Sequence, residues 1–178
     1  LAVHGERHVE DVVGRARDAG VARMVTIGTR LSTLAGARAV AERFAEVFCS
    51  VGVHPHEAEK EGGDATPAAL VDLASDEKVV GIGETGLDFY YDHSPRDVQK
   101  KSFRTHIAAA RETGLPLIIH ARDADGDIAR MLEEETRKGA FPFVLHCFTG
   151  GADLAHRGLA LGGSISFSGV VTFKNAEA

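Results

Sequence analysis

The stretch "VVGIGETGLDFYYD", Val79 to Asp92, begins as a run of Val, Ile and Gly with the composition of a buried strand. It then delivers a carboxylate, Glu84, with Gly83 and Gly86 close on either side. A charge spent where a strand should simply turn needs a partner, because a carboxylate taken out of water without one is costly. The segments around it show what kind of strand it is. Upstream, "TPAAL" sets Thr66 as a helix N-cap with Pro67 in the first turn. Downstream, "SPRDVQKKSFRTHIAAARETG" repeats that start signal with Ser94 and Pro95, and "LPLIIHARD" follows as the next apolar run.

The alternation continues in both directions. Helical spacing from Val9 through Ala19 ends at Gly20, a C-cap, before "VARMVTIGT"; a helix near Leu34 to Phe44 precedes "VFCSVGVHPH". A helix from about Asp125 to Lys138 leads to "FPFVLHCFTG", and one over Ala152 to Leu161 leads to "GGSISFSG". The strand cores are apolar without a clean period of two, as in a parallel sheet covered by helices. About six βα repeats with no linker or change of composition predict one α/β domain over 1–178, either a doubly wound sheet or a (β/α)8 barrel.

Bulk properties narrow the class. Among 178 residues, 26 acidic against 20 basic side chains give a modestly acidic chain, which argues against a broad basic surface for duplex nucleic acid. Cys49 and Cys147 are the only cysteines, each in an apolar run, so a disulfide framework is not expected and a reducing, cytoplasmic compartment is. No apolar run approaches the roughly 18 residues of a membrane span, so no membrane association is expected, nor does anything call for an obligate protein partner.

Polar residues stand at the C-terminal ends of successive strands: His54 and His56 after "SVGV", Glu84 after "VVGIG", His120 after "PLII" and His146 after "FVL". Closure into a barrel brings such ends around one mouth, which favours the barrel over the doubly wound sheet. Imidazoles and a carboxylate suit Zn²⁺ or Mn²⁺, and Glu84, with two oxygens, suits a bridge between two ions about 3.5–4 Å apart. One strand-end histidine is more often structural than a ligand; His120 and His146 together with Glu84 make a set whose burial calls for a cation. His54 before Pro55 also fits a turn. Arg122 points where a guanidinium can hold a phosphate, and Asp123 is read evenly as a cap of the next helix. Tyr90 and Tyr91 suit stacking on a base or plain packing. Cys147 has no evident thiolate base nearby. His4, His8, His93, His106 and His156 fall in helical or loop contexts and are expected to be solvated.

Taken in order, "SVGVHPHEA", "VGIGETGLDFYY", "LPLIIHARDA", "VLHCFTG" and "SISFSGVVTFK" strongly resemble the TatD family of metal-dependent hydrolases, of the amidohydrolase-like barrel group, from about Val21 to Lys174. The resemblance implies a distorted TIM-type (β/α)8 barrel holding two divalent ions (Mg²⁺, Mn²⁺ or Zn²⁺). It implies deoxyribonuclease activity, including 3′ to 5′ exonuclease action on single-stranded DNA, through a metal-activated water. By matching motif, Glu84 resembles the bridging ligand and His120 and His146 the ligands of one ion. His54 resembles the histidine beside the reaction centre that positions substrate or shuttles a proton, while Arg122, His56 and Tyr90 are candidate substrate contacts. The family's first strand carries a His-x-His pair and a late strand an Asp, and neither of those two strands is found in this sequence; "VHGERH" at the start has the wrong spacing for the pair. The barrel is therefore expected here without its first and last strands, with a longer parent polypeptide. Two other readings stand beside the nuclease: a metal-dependent deacylase, as on D-aminoacyl-tRNA, and a non-catalytic nucleic-acid-binding scaffold.

Overall fold

The computed structural model describes residues 6–174 and 176. In chain order the elements are α1 (Glu6–Asp18), β1 (Met24–Thr26), α2 (Leu34–Arg43), β2 (Val47–Val51), α3 (Ala58–Glu61), α4 (Pro67–Leu73), β3 (Val79–Asp88), α5 (Arg96–Thr113), β4 (Leu117–Arg122), α6 (Asp125–Thr136), β5 (Phe143–Leu145), α7 (Ala152–Ala160) and β6 (Ser164–Ile165). All six strands are parallel, and they pair strictly in chain order, β1-β2-β3-β4-β5-β6. That order decides between the two candidate architectures. A doubly wound sheet reverses its strand order at a switch point, whereas a barrel adds each strand beside the last. The sheet is thus the arc of a (β/α)8 barrel, with β1 and β6 paired on one side only among the described residues.

Several element starts form as the sequence dictates. Thr66 accepts the Ala69 N–H and Pro67 opens α4, while α5 ends at Gly114 with φ of 71°. Helix α5 is the main packing helix of the arc. Phe103, Ile107, Ala109 and Ala110 are completely buried along one face, against a sheet whose Ile82, Leu87, Leu117 and Ile119 are equally buried. Removing a side chain such as Phe103 from such a face costs about 3–5 kcal/mol.

Three local expectations are corrected. Ser94 does not cap α5; Pro95 holds the N-cap position, and the Ser94 hydroxyl instead accepts the Glu59 N–H and donates to the His56 carbonyl. Asp123 does not cap α6, whose N-cap is Ala124; Asp123 sits in the left-handed region at φ of 52°. His106, expected to be solvated, is completely buried. Its Nδ1 hydrogen bonds to the Ser102 carbonyl and its Nε2 accepts the Val53 N–H at 2.9 Å.

At the chain ends, His4 lies outside the described residues, and His8 falls within α1. Residues 175, 177 and 178 also lie outside them, and residues 169–172 form a 3-10 turn. Among the described residues, no helix is long and apolar enough to cross a membrane.

Candidate metal centre

Glu84 reaches the mouth of the arc because β3 is irregular where it arrives. Ile82 pairs with Leu117 and Thr85 with Ile119, so β3 advances three residues while β4 advances two. The extra residue is a bulge, a device that re-aims a side chain beside a site. Two glycines make it possible. Gly83 and Gly86 hold φ of 133° and 134°, and a Cβ on Gly86 would lie 2.0 Å from the His120 carbonyl oxygen. The close approach of β3 to β4 at Gly86 places Glu84 beside His120.

The predicted residues converge. Glu84 Oε1 lies 3.4 Å from His120 Nδ1 and 3.2 Å from His146 Nδ1. His54, Glu84 and His120 each offer a ligand atom within 4.8 Å of the others. His146 stands outside that tight trio and meets it through Glu84. A four-coordinate ion with ligands at about 2.0–2.2 Å sets its donors about 3.4 Å apart along each edge. The Glu84–His120 and Glu84–His146 spacings match such edges.

Lone-pair bookkeeping separates the histidines. His54 Nδ1 accepts the His56 N–H at 3.2 Å, so the neutral ring carries its proton on Nε2 and offers the centre a donor. Burial, reinforced by the neighbouring His120, lowers the His54 pKa to about 4 and keeps that ring neutral. His120 is arranged the other way round. Its Nε2 lies 2.9 Å from Asp88 Oδ2, leaving Nδ1 toward Glu84. Burial opposes charge on His120, yet the bonds to Glu84 and Asp88 outweigh it and raise the pKa. Burial likewise opposes ionisation of Glu84, but the hydrogen bonds from His120 and His146 hold its carboxyl well below the usual range. The centre therefore stabilises positive charge beside an ionised carboxylate, as a cation-binding donor set must.

Asp88, which carried no role in the sequence reading, completes the cluster. It is completely buried, and its Oδ2 takes His56 Nε2 at 2.8 Å as well as His120. Its Oδ1 accepts the Tyr90 and Tyr91 N–H groups at 3.1 and 2.9 Å. Burial pushes its carboxyl up, but the Tyr91 amide and the two imidazoles bring it down to about 2.

Beyond the cluster the mouth is exposed and aromatic. Arg122 lays its guanidinium over Tyr90 at 4.4 Å and Tyr91 at 4.9 Å, and Tyr91 stacks on His93. Tyr90 is 58% exposed, so it is not core packing. A cleft of about 580 Å³ opens alongside, lined by Tyr90, Arg122, Asp123, Asp125, Thr149 and Gly150 among others. It lies beside the Glu84 cluster rather than over it. Cys147 is exposed, with Sγ 3.5 Å from His146 Nε2.

A profile of the family described as TatD related DNase matches residues 2–178. The chain belongs to that family. It is similar to an uncharacterized metal-dependent hydrolase, YabD, of Bacillus subtilis (strain 168), at 40% identity over 169 residues, 95% of this chain and 66% of that protein. It is also similar to the 3'-5' ssDNA/RNA exonuclease TatD of Shigella flexneri serotype 5b (strain 8401), at 37% identity over 164 residues, 91% of this chain and 62% of that protein. The crystal structure of YJJV, a TatD homolog from Escherichia coli K12, shares the fold with a TM-score of 0.83 at 28% identity, covering 94% of this chain and 64% of that one. The chain spans just under two thirds of the length of each of these relatives.

Proposed function

We propose that this chain carries part of the active centre of a divalent-metal-dependent hydrolase that cleaves phosphodiester bonds of single-stranded DNA, releasing nucleotides from the 3′ end. The observation that carries the reading is the convergence of His120 Nδ1 and His146 Nδ1 on one oxygen of Glu84, with His54 beside them. Glu84, His120 and His146 would hold one ion, and the second oxygen of Glu84 would serve a second, of Mg²⁺, Mn²⁺ or Zn²⁺. The chemistry such an ion would supply is Lewis acidity: a lowered pKa for a water and charge to offset that on phosphoryl oxygens.

The chain's own groups supply the rest. His54, neutral and presenting Nε2–H, donates to a phosphoryl oxygen or passes on a proton. Arg122, held over two tyrosine rings, offers a guanidinium to the next phosphate, and the exposed ring of Tyr90 offers a base a stacking face. His56, held by Asp88, lines the same side of the mouth. Support for a single-stranded substrate comes from the Shigella flexneri relative, whose name specifies ssDNA and RNA.

The test is release of nucleotides from 3′-labelled single-stranded DNA and RNA with Mg²⁺ or Mn²⁺, against chelator. Metal-dependent release from DNA is expected. Silence on both strands, with turnover of an ester or amide substrate, would replace the nuclease with the deacylase reading.

A further inference from the structure

We infer that Asp88 is a positioning residue that fixes the His120 proton on Nε2 and so presents Nδ1 to a cation beside Glu84. The inference rests on the metal-dependent reading of the centre but not on the identity of the substrate.

An ionised carboxylate has about four lone-pair sites, and Asp88 uses four hydrogen bonds. Two imidazoles, His56 and His120, reach Oδ2, and the Tyr90 and Tyr91 amides reach Oδ1. With its lone pairs committed and its side chain completely buried, Asp88 has nothing left to offer an ion or a proton in transit. Its backbone is fixed as firmly. The Asp88 N–H donates to Gln99 Oε1 at 2.8 Å, and Gln99 Nε2 donates back to the Asp88 carbonyl at 3.1 Å and to the Ser94 carbonyl at 2.8 Å, all of it buried. A group so saturated and so rigidly held orients what it touches. What it touches on the metal side is the far nitrogen of His120, and the hydrogen bond at one ring nitrogen decides which tautomer the other presents.

Asparagine at this position isolates that role. Its oxygen can keep the two tyrosine amides, while its NH₂ group replaces the acceptor that His120 and His56 now share. A His120 ring that must accept at Nε2 carries its proton on Nδ1, facing Glu84, and cannot ligate there. Wrong-tautomer substitutions of this kind leave the geometry intact while removing the chemistry.

Zn²⁺ alone, without nucleic acid, is titrated into wild type, Asp88→Asn, His120→Ala and the double variant in competition with a chromophoric chelator. We expect Asp88→Asn to weaken Zn²⁺ binding about 10–100-fold in the wild-type background and less than about twofold beside His120→Ala, since contacting residues that act through one group are non-additive. Equal losses in both backgrounds, or none in either, would overturn the inference while leaving the metal centre standing. Wild-type protein that binds no Zn²⁺ would sink the centre and this inference together. Should Asp88→Asn not fold, ring ¹⁵N spectra of Zn²⁺-loaded wild type decide: Nε2–H with Nδ1 ligated supports it, and the reverse arrangement refutes it.

Discussion

His106 Nε2 accepts the Val53 amide N–H at 2.9 Å from inside the core, so a completely buried imidazole on α5 ties down the segment that delivers His54. Its Nδ1 hydrogen bond to the Ser102 carbonyl fixes the tautomer, leaving Nε2 free to accept.

This pair makes stability depend on pH. Burial outweighs the Ser102 bond and lowers the folded His106 pKa to about 4, while the unfolded value is about 6.5. Between those values the unfolded chain binds the extra proton, so stability is full above about pH 6.5 and falls as pH drops toward 4. The loss amounts to up to about 3 kcal/mol. Urea denaturation midpoints at pH 7 and pH 4.5 measure it. His106→Gln, which keeps an acceptor for Val53 but does not titrate, should show a visibly smaller drop than wild type; an identical drop would assign the pH dependence elsewhere.

The barrel was legible because strand-end polar residues and apolar runs recur at βα spacing, and Glu84, His120 and His146 could be placed from that pattern alone. His106 was missed although a signal existed. It lies three residues after Phe103 and four before Ala110, on the same buried stripe of α5. Asp88 gave less to read, since its role depends on a tertiary meeting with His56, 32 residues back, and His120, 32 residues on. The Ser94 and Asp123 readings failed for a shared reason. Both residues fit a local capping rule, but the backbone at Asp123 turned left-handed and the Ser94 hydroxyl found partners in the segment after His54.

Gly86 tests how tightly the β3 bulge is packed. A methyl group there meets the His120 carbonyl at 2.0 Å, backbone that has no flexible end to yield, and φ of 134° disfavours any L side chain. Gly86→Ala is expected to cost about 3 kcal/mol, which lowers Tm by roughly 6–12 °C at this size. Gly14, in the middle of α1 with nothing within 4 Å of a built Cβ, is the control. Gly14→Ala should stabilise by about 0.5–1 kcal/mol. Thermal melts of the two variants with opposite signs would support the packing described for β3; two shifts of the same sign would contradict it.

Glu84→Gln probes the centre directly. The substitution preserves shape while removing the negative charge on which His120 and His146 converge. Substitution of outer partners of a metal ligand costs about 10–100-fold, so under the proposed metal-dependent reading, loss of the carboxylate that two imidazoles share should cost at least about 100-fold in nucleotide release. Added Mn²⁺ in the millimolar range should recover only part of it. Release that persists at wild-type rate in Glu84→Gln would place the reaction centre somewhere other than this cluster.

Arg122 and Tyr90 should separate binding from chemistry. Both sit outside the Glu84 cluster, with the guanidinium 4.4 Å above the Tyr90 ring and both side chains exposed, so removing either leaves the Glu84, His120 and His146 atoms in place. Stacking one base on an aromatic ring is worth about 1–3 kcal/mol, so Tyr90→Ala should raise KM for a single-stranded oligonucleotide about 5–100-fold with kcat changed little. Tyr90→Phe keeps the ring and should restore most of it, whereas Arg122→Lys keeps the charge but loses the planar fork that lies over the tyrosines and binds phosphate in two places. Arg122→Lys should therefore weaken binding at every salt concentration while leaving its salt dependence close to that of wild type. Steady-state kinetics across an ionic-strength series measures both effects. A fall in kcat with KM unchanged in either variant would move that residue from the substrate side of the mouth into the chemical step.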